Sequence, residues 1–211
     1  MGILELISYK DHPLSTQTLL QLLDGYIRPY DKILEWVKQG YLVQLRRGLY
    51  MTSTLVSGTS AEPFSIANHL YGPSYVSLES ALFYWGLIPE RVYGVTSCTI
   101  KLSRKIMSNQ SVYSYYHLPT TYYSLGLMSI AIAEKQVVLI ASKEKCLCDK
   151  IIATSGINLR SKRQVVSFLI EDLRMDEREL KDLNLQEMTT WLQYCPKQKS
   201  IEMVINAIAE L

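Results

Sequence analysis

Arg46 and Arg47 stand side by side before Gly48, in a chain whose other chemistry-bearing residues are few and scattered. A guanidinium is always charged and donates in a fixed fork, so two of them on a small loop suit phosphate oxygens or a narrow minor groove. A pair that only solvates a surface fits the same two residues. Catalytic chemistry is harder to assemble. His12, His69 and His117 show neither a two-histidine helical spacing nor a carboxylate motif, so neither a metal nor another cofactor is expected. Cys98, Cys146, Cys148 and Cys195 lack the density of a disulfide framework or a zinc site. Two residues apart on a helix, the sulfurs of Cys146 and Cys148 point about 200° apart and cannot share an ion, which leaves small buried hydrophobes as the plainer reading. There is no G-x-S-x-G, no phosphate-binding loop and no dinucleotide fingerprint, and Ser77-Leu78-Glu79-Ser80 reads more simply as a helix cap and first turn than as a nucleophile site. The expectation is a protein that is not an enzyme.

An arginine pair must be presented by something. The segment 41–51, YLVQLRRGLYM, alternates apolar residues around Arg46-Arg47-Gly48 and predicts a β-hairpin with the arginines at its tip. Before it, Leu4, Leu6 and Ile7 predict a short opening helix that closes before His12 and Pro13. Ser15 is placed to cap a second helix over 15–24, with Leu19, Leu20, Leu22 and Leu23 as its apolar stripe and Gly25 as its stop. Pro29 suits the first position of a third, in which Ile33, Trp36 and Val37 recur at helical spacing until Gly40. Two short helices across a tight glycine turn, followed by a hairpin, are the pattern of a winged helix-turn-helix. On that reading the DNA-facing candidates are Arg28 in the turn, Tyr30, Lys32, Lys38 and Gln39 on the third helix, and Arg46 and Arg47 on the wing. The charge count leaves a protein-docking module open as well. Lys10, Arg28, Lys32, Lys38, Arg46 and Arg47 face Glu5, Asp11, Asp24, Asp31 and Glu35, six against five, so affinity for DNA would rest on few phosphate contacts or on two copies.

Residues 52–60 are rich in Ser and Thr, the composition of a connection, and divide the chain into a DNA-binding unit over 1–55 and a larger domain over 61–211. In the second, Pro63 opens a helix that the Tyr71-Gly72-Pro73 turn ends, and another runs over 78–85. Strands are predicted over 92–102 and 111–118, separated by a loop over 103–110, and again over 135–142. Ser142 then caps the amphipathic KEKCLCDKII. The tail is helical, with Asp176 and Glu179 in a capping-box variant and a last helix over 197–211. The fold class is therefore α/β in the mixed α+β sense, with a helical C-terminal tail. Lys101, Arg104, Lys105, Lys143, Lys145 and Lys150 are either a partner surface, for nucleic acid, nucleotide or another protein, or ordinary solvated charge. Tyr113, Tyr115, Tyr116, Tyr122 and Tyr123 are either stacking platforms or strand packing.

With 211 residues, 48% of them apolar, and a formal net charge of +2, the chain can bury a sizeable core, but its charge sum alone implies no nucleic-acid partner. No run approaches the roughly 18 to 20 apolar residues of a membrane span. The opening MGILELISYK lacks the order of a secretory signal, and Leu6 rules out the myristoylation pattern that Met1-Gly2 begins. A cytoplasmic protein without a membrane partner is expected.

The stretches YVSLESALFYWGLIPERVYGVT (75–96), Tyr116-His117-Leu118-Pro119 and ASKEKCLCDKI (141–151) resemble the AbiEi antitoxin family, and RRGLYM resembles that family's domain junction. The likeness spans 14–152, in order and with spacing kept. It implies a transcriptional autoregulator, a repressor acting at inverted repeats in its own operator DNA. It also implies an antitoxin of a bacterial type IV toxin-antitoxin, or abortive-infection, system, opposing a nucleotidyltransferase-like toxin without a stable complex. One departure is Ser142-Lys143, where a Thr-Pro pair often precedes the Glu-Lys found here as Glu144-Lys145.

Overall fold

A computed structural model describes residues 6–10, 12–59, 62–133 and 136–211. Leu6 and Ile7 are helical, and the rest of the opening helix that the sequence predicts lies outside the described residues. Ser15 closes strand β1 (Leu14–Ser15) and caps α1 (Thr16–Leu22), its hydroxyl accepting from the Thr18 amide at 3.1 Å. The chain turns at Gly25, whose φ of +87° suits a residue without Cβ. Pro29 then opens α2 (Pro29–Lys38), which buries Ile33 and Trp36. Strands β2 (Leu42–Arg46) and β3 (Leu49–Thr52) form an antiparallel hairpin, and β1 joins β3 to complete a three-stranded sheet. Leu6, Leu14, Leu19, Leu23, Ile33, Trp36, Leu42 and Tyr50 make a small core of their own.

The hairpin has a second allegiance. Leu45, Leu49 and Met51 belong to the large core of the chain, and the hydroxyl of Ser108 donates to the Leu45 carbonyl at 2.8 Å. Thr52 and Ser53 are buried, and the connection beyond them, expected to be exposed, is so at Thr54, Leu55, Gly58 and Thr59 and forms a helical turn, α3 (Thr54–Ser57).

The large core is built on a six-stranded mixed sheet, ordered β6-β7-β5-β4-β9-β8. Its strands are β4 (Ser74–Val76), β5 (Gly94–Thr99), β6 (Arg104–Ser108), β7 (Ser111–His117), β8 (Leu127–Ala133) and β9 (Gln136–Ala141). Pairs β4–β9 and β5–β7 are parallel, and the other neighbours antiparallel. Helices α4 (Pro63–Leu70), α5 (Leu78–Tyr84), α6 (Thr120–Tyr123) and α7 (Lys143–Ala153) pack with it. A helical tail follows: α8 (Lys162–Val166), a π-helical stretch over Ser167–Asp172, α9 (Glu177–Lys181), α10 (Leu185–Trp191) and α11 (Gln198–Ile208). The chain is thus a mixed α+β protein with a helical C-terminal region.

The segment expected as a loop over 103–110 is instead edge strand β6 and a two-residue turn. Asn109 and Gln110 both have positive φ, 46° and 61°, the backbone of a type I′ hairpin turn, and Ser108 pairs with Ser111 across it. Among the described residues no helix is long and apolar enough to cross a membrane.

Candidate nucleic-acid interface and buried polar cluster

Helix α2 turns Tyr30, Lys38 and Gln39 outward, together with Arg28 just before it, while Lys32 is half-buried. Much of its charge is spent internally. Arg28 lies 3.8 Å from Asp31, and the Lys32 ammonium donates to Glu35 at 2.9 Å, as does the Gln39 amide at the same distance. The hydrogen bond from Lys32 is the main reason that the Glu35 carboxyl is held below its ordinary range. Tyr30 and Leu34, four residues apart on α2, are exposed, and Ile27, 98% exposed, lies in the turn before the helix.

At the hairpin tip the two arginines differ. Arg46 folds back: its Nε donates to the Leu70 carbonyl at 2.9 Å and one terminal nitrogen to the Arg47 carbonyl at 3.2 Å. Arg47 is exposed, and neither it nor Lys38 takes part in an ion pair among the described residues. Of the sequence candidates, these two are the cations left for an outside anion, with Arg46 half engaged.

The six cations expected on the second domain do not form one surface. Lys101 and Arg104 both sit over the Tyr71 ring, at 5.2 and 5.7 Å from its centroid, and Lys105 follows on exposed β6. Lys143 pairs with Glu179 at 3.2 Å and Lys150 with Glu79, so on α7 both are already neutralised. Lys145 is wholly buried and corrects the sequence reading outright: no partner can reach it.

Around Lys145 the structure builds a cluster that composition did not reveal. Its ammonium lies 3.0 Å from Asp149 Oδ1, donates to the Tyr122 carbonyl at 3.1 Å, and sits 3.1 Å from the Tyr122 ring centroid. Asp149 Oδ2 accepts from the Tyr75 hydroxyl at 2.9 Å and from Ser77 Oγ at 2.7 Å. Ser77 therefore stands at the start of α5 without capping it by its side chain, and its neighbour Leu78 takes the strained φ of 56°. Gly126 seals the far side. A Cβ there would meet Trp191 at 2.7 Å and the Lys145 stem at 2.8 Å. Burial, with Asp149 adding to it, pushes the Tyr75 phenol well above its ordinary range, and burial does the same to the thiols of Cys98, Cys146 and Cys148. These groups stay neutral and sealed, which suits a clamp between β4 and α7 rather than a reaction centre. The i, i+4 spacing of Lys145 and Asp149 on an otherwise apolar helix face was the signal available in the sequence.

Tyr113, Tyr115 and Tyr122 are buried, so they pack the core and offer no stacking surface, while Tyr116 is 37% exposed. Among the described residues no group of three or more His, Cys, Asp and Glu could hold a metal ion.

No family model matches the chain, and no curated protein does. Among solved structures it is similar to the RV2827C protein from Mycobacterium tuberculosis, with a TM-score of 0.53 and 15% identity over 99% of this chain and 79% of that one. The likeness is one of fold.

Proposed function

We propose that this chain is a DNA-binding autoregulator and antitoxin of the AbiEi kind, a cytoplasmic, non-catalytic protein whose first unit is a winged helix-turn-helix. The observation that carries it is local. An outward-facing helix, Pro29–Lys38, runs directly into a hairpin whose tip presents Arg47 in no ion pair among the described residues. Duplex operator DNA with inverted repeats is the partner of that face. The resemblance assigns the second domain to opposing a nucleotidyltransferase-like toxin, and the Ser142-Lys143 departure costs the family pattern nothing at this helix, because Ser142 still caps α7 by accepting from the Lys145 amide at 3.1 Å. The sealing of Ser77 and the cysteines supports a role without catalysis.

The test is a salt titration of binding to the protein's own upstream region beside a scrambled fragment of equal length. Preferential, salt-sensitive binding is expected, and Arg47→Ala should lower the slope of log K against log salt by about 0.9, one phosphate contact. Equal or absent binding to the two fragments would overturn the assignment.

A second reading is favoured by one observation, the exposed side chains of Tyr30 and Leu34 on that helix, with Ile27 exposed in the turn before it. An apolar face of this kind docks protein as readily as it meets thymine methyls. A complex that co-purifies through this face, with no DNA retained at moderate salt, would establish it.

A further inference from the structure

The two edges of the six-stranded sheet are unlike. At one, β6 opens with Arg104 and Lys105, both exposed, and charges on an edge strand keep another sheet from adding to it. At the other, β8 reads LMSIAIA, seven residues with no charge, no proline and no glycine. From Leu118 to Ser142 the sequence has only Glu134 and Lys135 as charged residues, one of each sign, between β8 and β9. Strand β8 has a partner on one side, β9, so alternate residues turn their N–H and C=O groups away from the sheet. Among the described residues no backbone group of another element meets them.

The strand also fixes a register. Its ladder with β9 is regular from Leu127 to Ala131 and shifts before Ala133, so the straight part of the edge is five residues long and Ser129 is its centre. Residues directly opposite in a ladder share a face. Met128 and Ile130 lie opposite Ile140 and Val138, both buried, whereas Ser129 and Ala131 lie opposite Leu139 and Val137. Ser129 and Ala131 are exposed, as are Met128 at 42% and Val137 at 63%. A two-fold axis at Ser129 would set that residue against its own copy, Met128 against the partner's Ile130, and Leu127 against the partner's Ala131. Apolar side chains then meet on the face of Met128, small ones and a hydroxyl meet on the other, and no like charges are opposed.

We infer that β8 is a self-association edge, on which a second copy of this chain pairs its own β8 antiparallel about Ser129 and joins the two sheets into one. The inference does not rest on the DNA-binding reading. A two-fold contact closes on itself, because both copies spend the same strand in it. The same operation at β6 would bring Arg104 and Lys105 against a second pair of cations. Joining β8 of one copy to β6 of the next would strip water from those cations and leave an open chain of copies. A slip of one residue about Ser129 would set the core-side residues of one copy beside the outward residues of the other, so the register is specified by the same pattern that buries Val138 and Ile140.

Sedimentation equilibrium of the full-length protein, without DNA, tests this from micromolar concentrations upward. The wild type should reach twice the mass of one chain. Ser129→Lys should hold the protein at the mass of one chain, since it sets two ammoniums face to face at the axis, and Ser129→Glu should do the same with two carboxylates. Ser129 is exposed, so neither change touches the core. An equal mixture of the two variants should regain the doubled mass, because lysine then faces glutamate, and that recovery also shows that both variants are folded. A wild type that stays at the mass of one chain overturns the inference and leaves the edge to a strand of a different protein. A doubled mass that survives Ser129→Lys overturns it by placing the contact elsewhere, and a mixture that fails to associate overturns the register about Ser129. None of these outcomes alters binding to the upstream fragment as the salt titration reads it.

Discussion

Asp149→Ala is expected to destabilise the protein by about 3 to 5 kcal/mol, the cost of leaving a buried charge without its partner. The Lys145 ammonium is wholly buried, and without the carboxylate it keeps the Tyr122 carbonyl and the faces of Tyr122 and Tyr75, none of which carries a charge. The same substitution strands the hydroxyls of Tyr75 and Ser77, both of which donate to Asp149 Oδ2. Replacing both charges at once should behave differently. In K145M/D149L the buried charges are gone, so that part of the loss should be recovered, while the hydroxyls of Tyr75 and Ser77 still lack their acceptor and should keep the variant below wild type by about 1 to 3 kcal/mol each. Urea unfolding of the three proteins separates the outcomes. A single Asp149→Ala variant as stable as wild type would mean that water reaches the site and that the cluster is no clamp.

The elements that punctuation residues define were legible in the sequence. Ser15 as a cap, Gly25 as a stop and Pro29 as a first helical residue each act within one turn of the chain, and the structure places α1 and α2 where they point. The same holds for Ser142 at the head of α7 and Asp176 at the head of α9. Strand β6 was missed because its turn is Asn109-Gln110, a left-handed pair without the glycine that marks such hairpins. Lys145 was misread because KEKCLCDK carries a charge on every side of the helix. Which of them faces the core is decided by Tyr75, Ser77 and Tyr122, residues far away in sequence. Likewise Arg46 and Arg47 are indistinguishable as letters, and only the packing of the hairpin onto α4 shows that one is tethered to the Leu70 carbonyl and the other is free of ion pairs.

Trp36→Ala should abolish DNA binding while leaving the large domain folded. Trp36 is 4% exposed and is the largest side chain in the eight-residue core that holds α1 and α2 to the small sheet. Its truncation costs about 3 to 5 kcal/mol, more than so small a core can lose and keep its helices docked. The damage should stop at the hairpin. Leu45, Leu49 and Met51 are packed into the large core, and Ser108 holds the Leu45 carbonyl, so β2 and β3 have a second source of order that α1 and α2 lack. Amide hydrogen exchange is the measurement that resolves this: protection should vanish over Thr16–Leu22 and Pro29–Lys38 and persist over Gly94–Thr99 and Ser111–His117. Loss of protection across the six-stranded sheet as well would show that the hairpin couples the two cores into one cooperative unit. In that case the helix proposed to meet DNA and the domain behind it would be stabilised together, and a ligand bound at either one would stabilise the other.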